Sequence, residues 1–142
     1  MTGITNVVSK RERDCLVLLK EQSSGDFPMR LHEIASTMKI KPPTALNIIR
    51  RLKSKGYVET QDGMIKLSDS GDRISSTILM VHRTFESLFC QSGVSESKAC
   101  REASEIDFLI NSDNAMKVLK RIDSPSLCPH GKPIKVLRNG IH

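Results

Sequence analysis

The stretch from Arg30 to Leu67 constrains the fold of this 142-residue chain more than any other segment. Between Pro42 and Lys55, apolar residues recur at i, i+3, i+4 and i+7, which is one stripe of an amphipathic helix. The stripe consists of Ala45, Ile48, Ile49 and Leu52. Two prolines open this helix, where a missing N–H costs no hydrogen bond. A shorter helix precedes it, and Lys39–Lys41 is short enough to be the turn between the two helices.

A hairpin signal follows the second helix. Gly56 is placed as a helix C-cap, and Tyr57–Glu59 alternates as a strand does. Asp62-Gly63 is a strong hairpin turn, and Met64–Leu67 returns as a second strand. Helix, turn, helix and two-stranded ribbon in this order predict a winged helix-turn-helix, a fold that reads DNA. Each piece alone is common, so two unrelated hairpins in another small domain are the alternative.

The face of the second helix opposite its apolar stripe carries polar and cationic residues. Arginine can pair bidentately with guanine and asparagine with adenine, while threonine can contact a methyl group or a phosphate. The candidates for base or phosphate contacts are Thr44, Asn47, Arg50 and Arg51, and the further phosphate candidates are Lys39, Lys41 and Lys53. The wing around Asp62 and Gly63 is expected to contact the DNA backbone or minor groove.

Charge is unevenly distributed along the chain. The formal net charge is +6, with 12 Lys/Arg against 7 Asp/Glu in residues 1–68 and 10 against 9 in residues 69–142. The excess therefore lies with the proposed DNA-binding part, as contacts to phosphates require. We predict a DNA-binding domain over residues 1–70 and a helical dimerisation and metal-binding domain over residues 71–142.

The sequence predicts a cytoplasmic protein without a membrane partner. No run of 18 apolar residues exists, and the N-terminus lacks a basic stretch followed by an apolar one. The four cysteines are Cys15, Cys90, Cys100 and Cys128, and no CxxC pair occurs among them. Free thiols are expected in the cytoplasm. Cys15 lies in a first helix predicted over residues 9–22 and is expected to face the hydrophobic core.

A long helix is predicted to follow the wing and to reach about Cys90. Its apolar stripe contains Ile74, Ile78, Val81, Phe85, Leu88 and Phe89. A dimer interface is the natural place to bury so much apolar surface, and helix-turn-helix proteins commonly bind DNA as dimers. The alternative is a buried helix in a monomer. A further helix to about Leu109, a last helix from Asn111 and a Pro/Gly-rich loop complete a mostly α-helical fold.

The chain resembles a known family in several motifs. The winged helix is followed by Leu67–Gly71, by Val81-His82-Arg83-Thr84-Phe85-Glu86, by a helix with Ala99-Cys100, and by Cys128-Pro129-His130-Gly131-Lys132-Pro133-Ile134. This pattern is similar to the diphtheria toxin repressor and manganese transport regulator family of metal-dependent repressors. The resemblance covers nearly the whole chain, and implies the short form without an SH3-like domain.

The resemblance implies a divalent metal site, with iron or manganese as the family's metals. His82 and Glu86 match a ligand histidine and glutamate, and Cys100 stands where a second, ancillary site has histidine. Glu102 or Asp107 could join them. Ser104 and Phe108 fall at other ligand positions, and Lys10 and Arg13 fall where the first helix should supply a carboxylate or methionine. Imidazole, carboxylate and thiolate together suit zinc or iron better than manganese.

Two interpretations follow from these departures. In one, a metal binds at a displaced or reduced site. In the other, the metal switch has been lost, and Lys10 or Arg13 pairs with Asp107 or Glu102 in place of the ion. A regulator of this second kind would act without metal or would answer to cysteine oxidation. His82 and Glu86 could also form a simple hydrogen-bonded pair within their helix, and the Cys128–His130 loop is expected mainly to fix the path of the chain.

The predicted function is a homodimeric, sequence-specific DNA-binding transcriptional regulator that recognises a palindromic operator. The alternatives are a metal-independent or thiol-responsive regulator of the same fold, or a winged-helix module that binds proteins. No nucleophile lies in a recognised motif and no glycine-rich phosphate loop exists, so the sequence does not predict an enzyme.

Overall fold

The computed structural model describes residues 8–23, 28–123 and 125–135. These residues form α1 (Lys10–Ser23), β1 (Met29–Arg30), α2 (Leu31–Met38), α3 (Pro42–Ser54), β2 (Val58–Gln61), β3 (Met64–Leu67), α4 (Asp69–Gln91), α5 (Glu96–Ile106) and α6 (Ser112–Arg121). The predicted fold, a winged helix-turn-helix followed by a helical domain, is confirmed. Most of the loop predicted after α1 lies outside the described residues.

Two compact units divide the described residues, one of them Val8–Ser76 and the other the described residues from Thr77 onward. The residues of α4 before Thr77 belong to the former, which we call the winged-helix unit, and the later ones to the latter, which we call the helical unit. The functional boundary placed at residue 70 stays a prediction. None of the helices in the described ranges is long and apolar enough to cross a membrane.

The helix-turn-helix forms because a left-handed residue separates two amphipathic helices. Lys39 ends α2 with φ 58°, and the Ile40 N–H donates to the carbonyl of Ala35 at 3.0 Å. Prolines occupy the first positions of α3, as predicted. The apolar stripe is buried at all four predicted positions: Ala45, Ile48, Ile49 and Leu52. Burying this stripe fixes which face of α3 remains exposed.

The predicted two-stranded ribbon is incomplete, because the sheet has three antiparallel strands in the order β1-β3-β2. Met29 pairs with Ile65 and Arg30 with Met64. Arg30 therefore lies in a strand and is also the N-cap of α2, so it precedes the helical residues. A strand of two residues shows no alternation in the sequence, so only its pairing across the fold reveals it.

Backbone geometry fixes the start of the wing and the turn between its two strands. Gly56, with φ 81°, terminates α3 in a Schellman motif, in which the Tyr57 N–H reaches the Leu52 carbonyl at 2.9 Å. Asp62 and Gly63 have φ values of 53° and 78°, which are typical of a type I′ hairpin turn. The predicted cap and turn are therefore confirmed.

The start of α4 packs against the entrance to the wing. Ser68 caps the helix, since its hydroxyl accepts from the Gly71 N–H at 3.0 Å. A Cβ atom at Gly71 would lie 1.9 Å from the carbonyl oxygen of Tyr57, so this contact requires glycine.

The core of the helical unit is built from α4, α6 and the C-terminal loop. Its buried members are Met80, Val81, Ala115, Leu119, Ile122, Cys128 and Ile134. Asn111 caps α6, and its side-chain oxygen accepts from the Asp113 N–H at 2.8 Å. The prediction that α5 reaches Leu109 was wrong, because the helix ends at Ile106 and the chain turns with the Leu109 N–H bonded to the Ile106 carbonyl.

Candidate functional site

The exposed face of α3 carries the residues predicted to contact DNA. Asn47, Arg50 and Arg51 are exposed and Thr44 is half-buried, while the opposite stripe is buried. The three candidate lysines, Lys39, Lys41 and Lys53, are exposed as well. An amphipathic helix with its polar face turned to solvent has the surface that major-groove docking requires.

Arg51 is also held by a carboxylate that the sequence reasoning missed. Glu12 of α1 is buried, with 1% of its surface exposed. Its carboxylate accepts from Arg51 Nε at 3.2 Å and from Lys55 Nζ at 2.8 Å. The sequence signal for Glu12 was its spacing to Ser9, which is that of a capping box at a helix N-terminus. The Ser9 N–H donates to the Glu12 carboxylate at 2.7 Å, and the Glu12 N–H donates to the Ser9 hydroxyl.

This network sets the charge of Glu12 and the position of the last turn of α3. Burial raises the pKa of Glu12, but the bonds from Lys55, the Ser9 N–H and Arg51 outweigh it and lower the pKa below its ordinary value of 4.5. The carboxylate is therefore ionised at neutral pH. The Arg51 side chain remains 54% exposed, so one side chain both anchors α1 to α3 and stands on the candidate DNA face.

Lys53 makes a contact with the wing. Its Nζ donates to the Thr60 hydroxyl on β2 at 2.9 Å, and both residues are exposed. This hydrogen bond holds a candidate phosphate contact of α3 beside the ribbon.

In the helical unit, three metal-ligand types converge. One ligand atom each from His82, Glu86 and Cys100 lies within 4.8 Å of the others. His82 Nε2 is 3.8 Å from Glu86 Oε1 and 3.6 Å from Cys100 Sγ. His82 and Glu86 are buried on α4, and Cys100 is half-buried on α5. A nitrogen, an oxygen and a sulfur donor thus face one another.

Asp107 lies on the other side of the histidine ring. Its Oδ2 is 3.0 Å from His82 Nδ1, and its side chain is buried. With Nδ1 donating to this carboxylate, Nε2 is the nitrogen that can bind a metal. Asp107, a candidate ligand by sequence, therefore lies where it can orient the histidine ring.

The other predicted metal position, Glu102, is not brought into this group. It is exposed on α5, and neither of the clusters of ligand atoms found among the described residues contains it. On α1, Asp14 Oδ1 lies 2.7 Å from Lys10 Nζ and 3.1 Å from Arg13 Nη1. That a cation of α1 replaces the metal stays a prediction.

A second group of ligand types adjoins the first. Glu86, Cys128 and His130 also place one ligand atom each within 4.8 Å of the others. His130 Nδ1 lies 2.7 Å from Glu86 Oε2. This loop was predicted mainly to fix the path of the chain, and Cys128 does belong to the core of the helical unit. Its proximity to Glu86 was not predicted, because a tertiary contact brings the loop back to α4.

Residues 68–135 match the model of the iron-dependent repressor metal-binding and dimerisation domain. An HTH-type transcriptional regulator of Aeropyrum pernix, itself uncharacterised, is 28% identical over 120 residues, which are 84% of this chain and 66% of the relative. The chain thus spans slightly less than two thirds of that protein.

Solved structures share the fold. A hypothetical protein of Sulfolobus solfataricus is 26% identical with a TM-score of 0.78, and the match covers 91% of this chain and 100% of that one. The IdeR protein of T. acidophilum is 24% identical with a TM-score of 0.71, over 94% of this chain and 64% of the other. This second likeness shows the fold alone.

The matched family consists of transcriptional regulators and not of enzymes. The family model covers the segment that holds both groups of candidate ligands. The winged helix-turn-helix precedes that segment, as the resemblance in the sequence implied. This match covers slightly less than half of the chain, and it agrees with the resemblance to the diphtheria toxin repressor and manganese transport regulator family that the sequence motifs carry.

Proposed function

We propose that this protein is a homodimeric DNA-binding transcriptional regulator whose affinity for DNA is set by a divalent metal at His82, Glu86 and Cys100. The observation that carries the proposal is the convergence of these three donors inside a segment matching a metal-binding and dimerisation domain. The same chain contains a winged helix-turn-helix with a basic, exposed helix face.

DNA binding is proposed through α3 in the major groove. Asn47, Arg50 and Thr44 would contact bases or phosphates, and Arg51 would do so while keeping its bond to Glu12. The exposed lysines of the turn and of α3 would contact phosphates, and the type I′ turn of the wing would touch the backbone or minor groove. Because two copies present two such helices, the operator would be palindromic.

The donor set fits a divalent metal. Imidazole nitrogen, carboxylate oxygen and thiolate sulfur suit zinc or iron better than manganese, which prefers oxygen ligands. His82, Glu86 and Cys100 would hold the metal, and solvent or a further group would complete its coordination. Asp107 would fix the ring of His82 and increase the basicity of its Nε2. A bound metal there supplies charge and a fixed link between α4 and α5.

Control of DNA binding by metal requires that the ion favour one conformation of the protein. A ligand shifts an equilibrium only by its difference in affinity for the two states. In this proposal, the metal binds the DNA-competent arrangement more tightly. Thermodynamic reciprocity then requires that operator DNA also raise the affinity for metal by the same factor.

Dimerisation is proposed through the apolar side of α4. Phe85, Leu88 and Phe89 are half-buried within one protomer, and the rings of Phe85 and Phe89 lie 6.1 Å apart. Aromatic surface of this kind dominates stable interfaces. A partner copy would bury what the single chain leaves exposed.

Metal analysis of the purified full-length protein tests the proposal. Zinc or iron should co-purify or bind tightly, and His82→Gln should lose it while His32→Gln, on an exposed histidine of α2, should keep it. If no metal binds and chelator leaves DNA affinity unchanged, the metal-controlled function fails in favour of a metal-independent or thiol-responsive regulator. If no duplex binds at moderate salt, the protein-binding module replaces both.

A further inference from the structure

Glu12 divides its two carboxylate oxygens between different partners. Oε1 accepts from the Ser9 N–H at 2.7 Å and from Lys55 Nζ at 2.8 Å. Oε2 accepts from Arg51 Nε at 3.2 Å. One oxygen therefore ties the carboxylate to the start of α1 and to the residue that ends α3, and the other oxygen holds the arginine.

The carboxylate that meets Arg51 is itself held in place. Glu12 lies in the first turn of α1, where its N–H also donates to the Ser9 hydroxyl at 3.1 Å to close the capping box. Its side chain is only 2% exposed. A buried acceptor whose other oxygen already receives two hydrogen bonds has little room to turn. Arg51 is thus bonded to a fixed acceptor and not to a mobile carboxylate on the surface.

Arg51 is bonded to Glu12 through Nε and is still open to solvent. A guanidinium carries one N–H at Nε and two amino groups at its far end, all in one plane. More than half of the Arg51 side chain is exposed, although its Nε reaches a buried group. The bond to Glu12 therefore restricts the plane of the guanidinium while its amino groups remain available to an oxyanion such as phosphate.

The place of Arg51 along α3 indicates which part of DNA its amino groups would meet. Arg51 and Lys53 are the cations of the last turn of this helix. In helix-turn-helix proteins, the N-terminal residues of the recognition helix contact the base edges. A cation in the last turn is therefore expected to meet the phosphate backbone, whose contacts fix the register of the protein on the duplex.

An arginine that is already held binds a phosphate more tightly than a mobile one. A long side chain loses rotamer freedom when a contact immobilises it, and the bond to Glu12 removes part of that freedom before DNA arrives. Lys55 adds a second positive charge beside the carboxylate. Because two cations surround one anion, the group of Glu12, Lys55 and Arg51 remains positively charged and attracts phosphate.

We propose that Glu12 is a positioning residue for DNA binding, which holds Arg51 at Nε and directs its amino groups to a phosphate of the bound duplex. The inference rests on the DNA-binding part of the proposed function and not on the metal. Replacing Glu12 by glutamine has two opposite effects on affinity. Removing a negative charge strengthens binding to DNA, whereas releasing Arg51 weakens it, so the sign of the change tests the inference.

Fluorescence anisotropy of Zn²⁺-loaded, full-length protein with a duplex enriched by selection measures this change. Glu12→Gln should weaken binding roughly 2- to 10-fold, which is the cost of ordering one long side chain. Asp14→Asn is the matched control, because it removes a carboxylate of the same helix that pairs with Lys10 and Arg13. This control should leave Kd unchanged or slightly lower. Circular dichroism checks that each variant is folded under the conditions of the assay.

A double-mutant cycle separates positioning of Arg51 from a general loss of structure. In the Arg51→Ala background, Glu12→Gln should no longer weaken binding. Arg51→Ala should also lower the slope of log K against log salt concentration by about one, as the loss of a phosphate contact does. If Glu12→Gln is not folded, Glu12→Asp takes its place in the cycle, because it keeps the charge and shortens the reach to Arg51.

Three results overturn the inference while leaving DNA binding intact. Tighter binding by Glu12→Gln than by Asp14→Asn would show that Glu12 competes with DNA for Arg51. An unchanged Kd would show that Arg51 needs no support from Glu12. Equal losses with and without Arg51 would show that Glu12 acts only through the stability of the fold. If the wild type itself binds no duplex, the proposed function fails, and the inference fails with it.

Discussion

Replacing Glu12 by glutamine tests how strongly α1 is joined to the DNA-reading helix. The change removes the negative charge while keeping the size of the side chain. It acts on a buried group whose carboxylate accepts from the Ser9 N–H, Lys55 Nζ and Arg51 Nε at 2.7, 2.8 and 3.2 Å. A glutamine offers one carbonyl oxygen, so both bonds from cations are weakened or lost.

The expected loss of stability follows from these contacts. Hydrogen bonds to charged partners contribute about 1.5–3 kcal/mol each. Both cations are partly exposed, with 54% of the Arg51 side chain and 32% of the Lys55 side chain accessible, so water replaces part of what the carboxylate supplied. We therefore expect Glu12→Gln to lower the free energy of unfolding by roughly 2–3 kcal/mol at neutral pH.

The effect should depend on pH with a definite sign. Because the pKa of Glu12 is lowered in the folded protein, its contribution is complete above the ordinary value of 4.5 and is lost as pH falls through the lower folded pKa. Urea unfolding followed by circular dichroism should show the wild type and Glu12→Gln converging at acid pH. Glu33→Gln, at an exposed glutamate that also accepts a backbone N–H, is the matched control and should cost much less. Two results would contradict this role of Glu12: equal losses of unfolding free energy in both variants, or a difference between the wild type and Glu12→Gln that stays constant with pH.

Four further outcomes are expected. Arg50→Ala and Arg51→Ala should each weaken operator binding in a gel shift, by about 1–3 kcal/mol where a base contact is lost, and only Arg51→Ala should also lower the midpoint of urea unfolding. Gly71→Ala should destabilise the protein by about 1–3 kcal/mol in the same assay, because its Cβ would meet a backbone carbonyl at 1.9 Å. Burial raises the pKa of Cys15 to about 12, so this thiol should resist alkylation at pH 8 until the chain unfolds, as mass spectrometry can show. Asp107→Asn should reduce metal affinity about 10–100-fold in a chelator competition; unchanged affinity would contradict its orienting role.

The helix-turn-helix was predictable because its determinants are local. The apolar stripe of α3 repeats within one helix. Two prolines mark the beginning of that helix and one glycine marks its end. Asp62-Gly63 likewise specifies its turn without help from the rest of the fold. Elements whose geometry is decided by neighbours in sequence are those that a period or a turn signal can reveal.

Features that depend on distant partners were missed. Strand β1 exists only by pairing with β3. Glu12 is bonded to Arg51 and Lys55, which follow it by 39 and 43 positions in the chain, so no local pattern predicts its buried ion pairs. His82 and Glu86 were found together because they share one helix turn, whereas the approach of His130 to Glu86 depends on the fold of a loop.

The most direct test of the central claim is the affinity of the full-length protein for duplex DNA in two metal states. Fluorescence anisotropy would measure Kd for a duplex enriched by selection, once with saturating Zn²⁺ or Fe²⁺ and once after chelation. A metal-controlled regulator should bind more tightly when loaded, by about 5–150-fold, with a steep dependence on salt. Equal Kd values in the two states would contradict metal control, and the absence of duplex binding in either state would contradict the DNA-binding function itself.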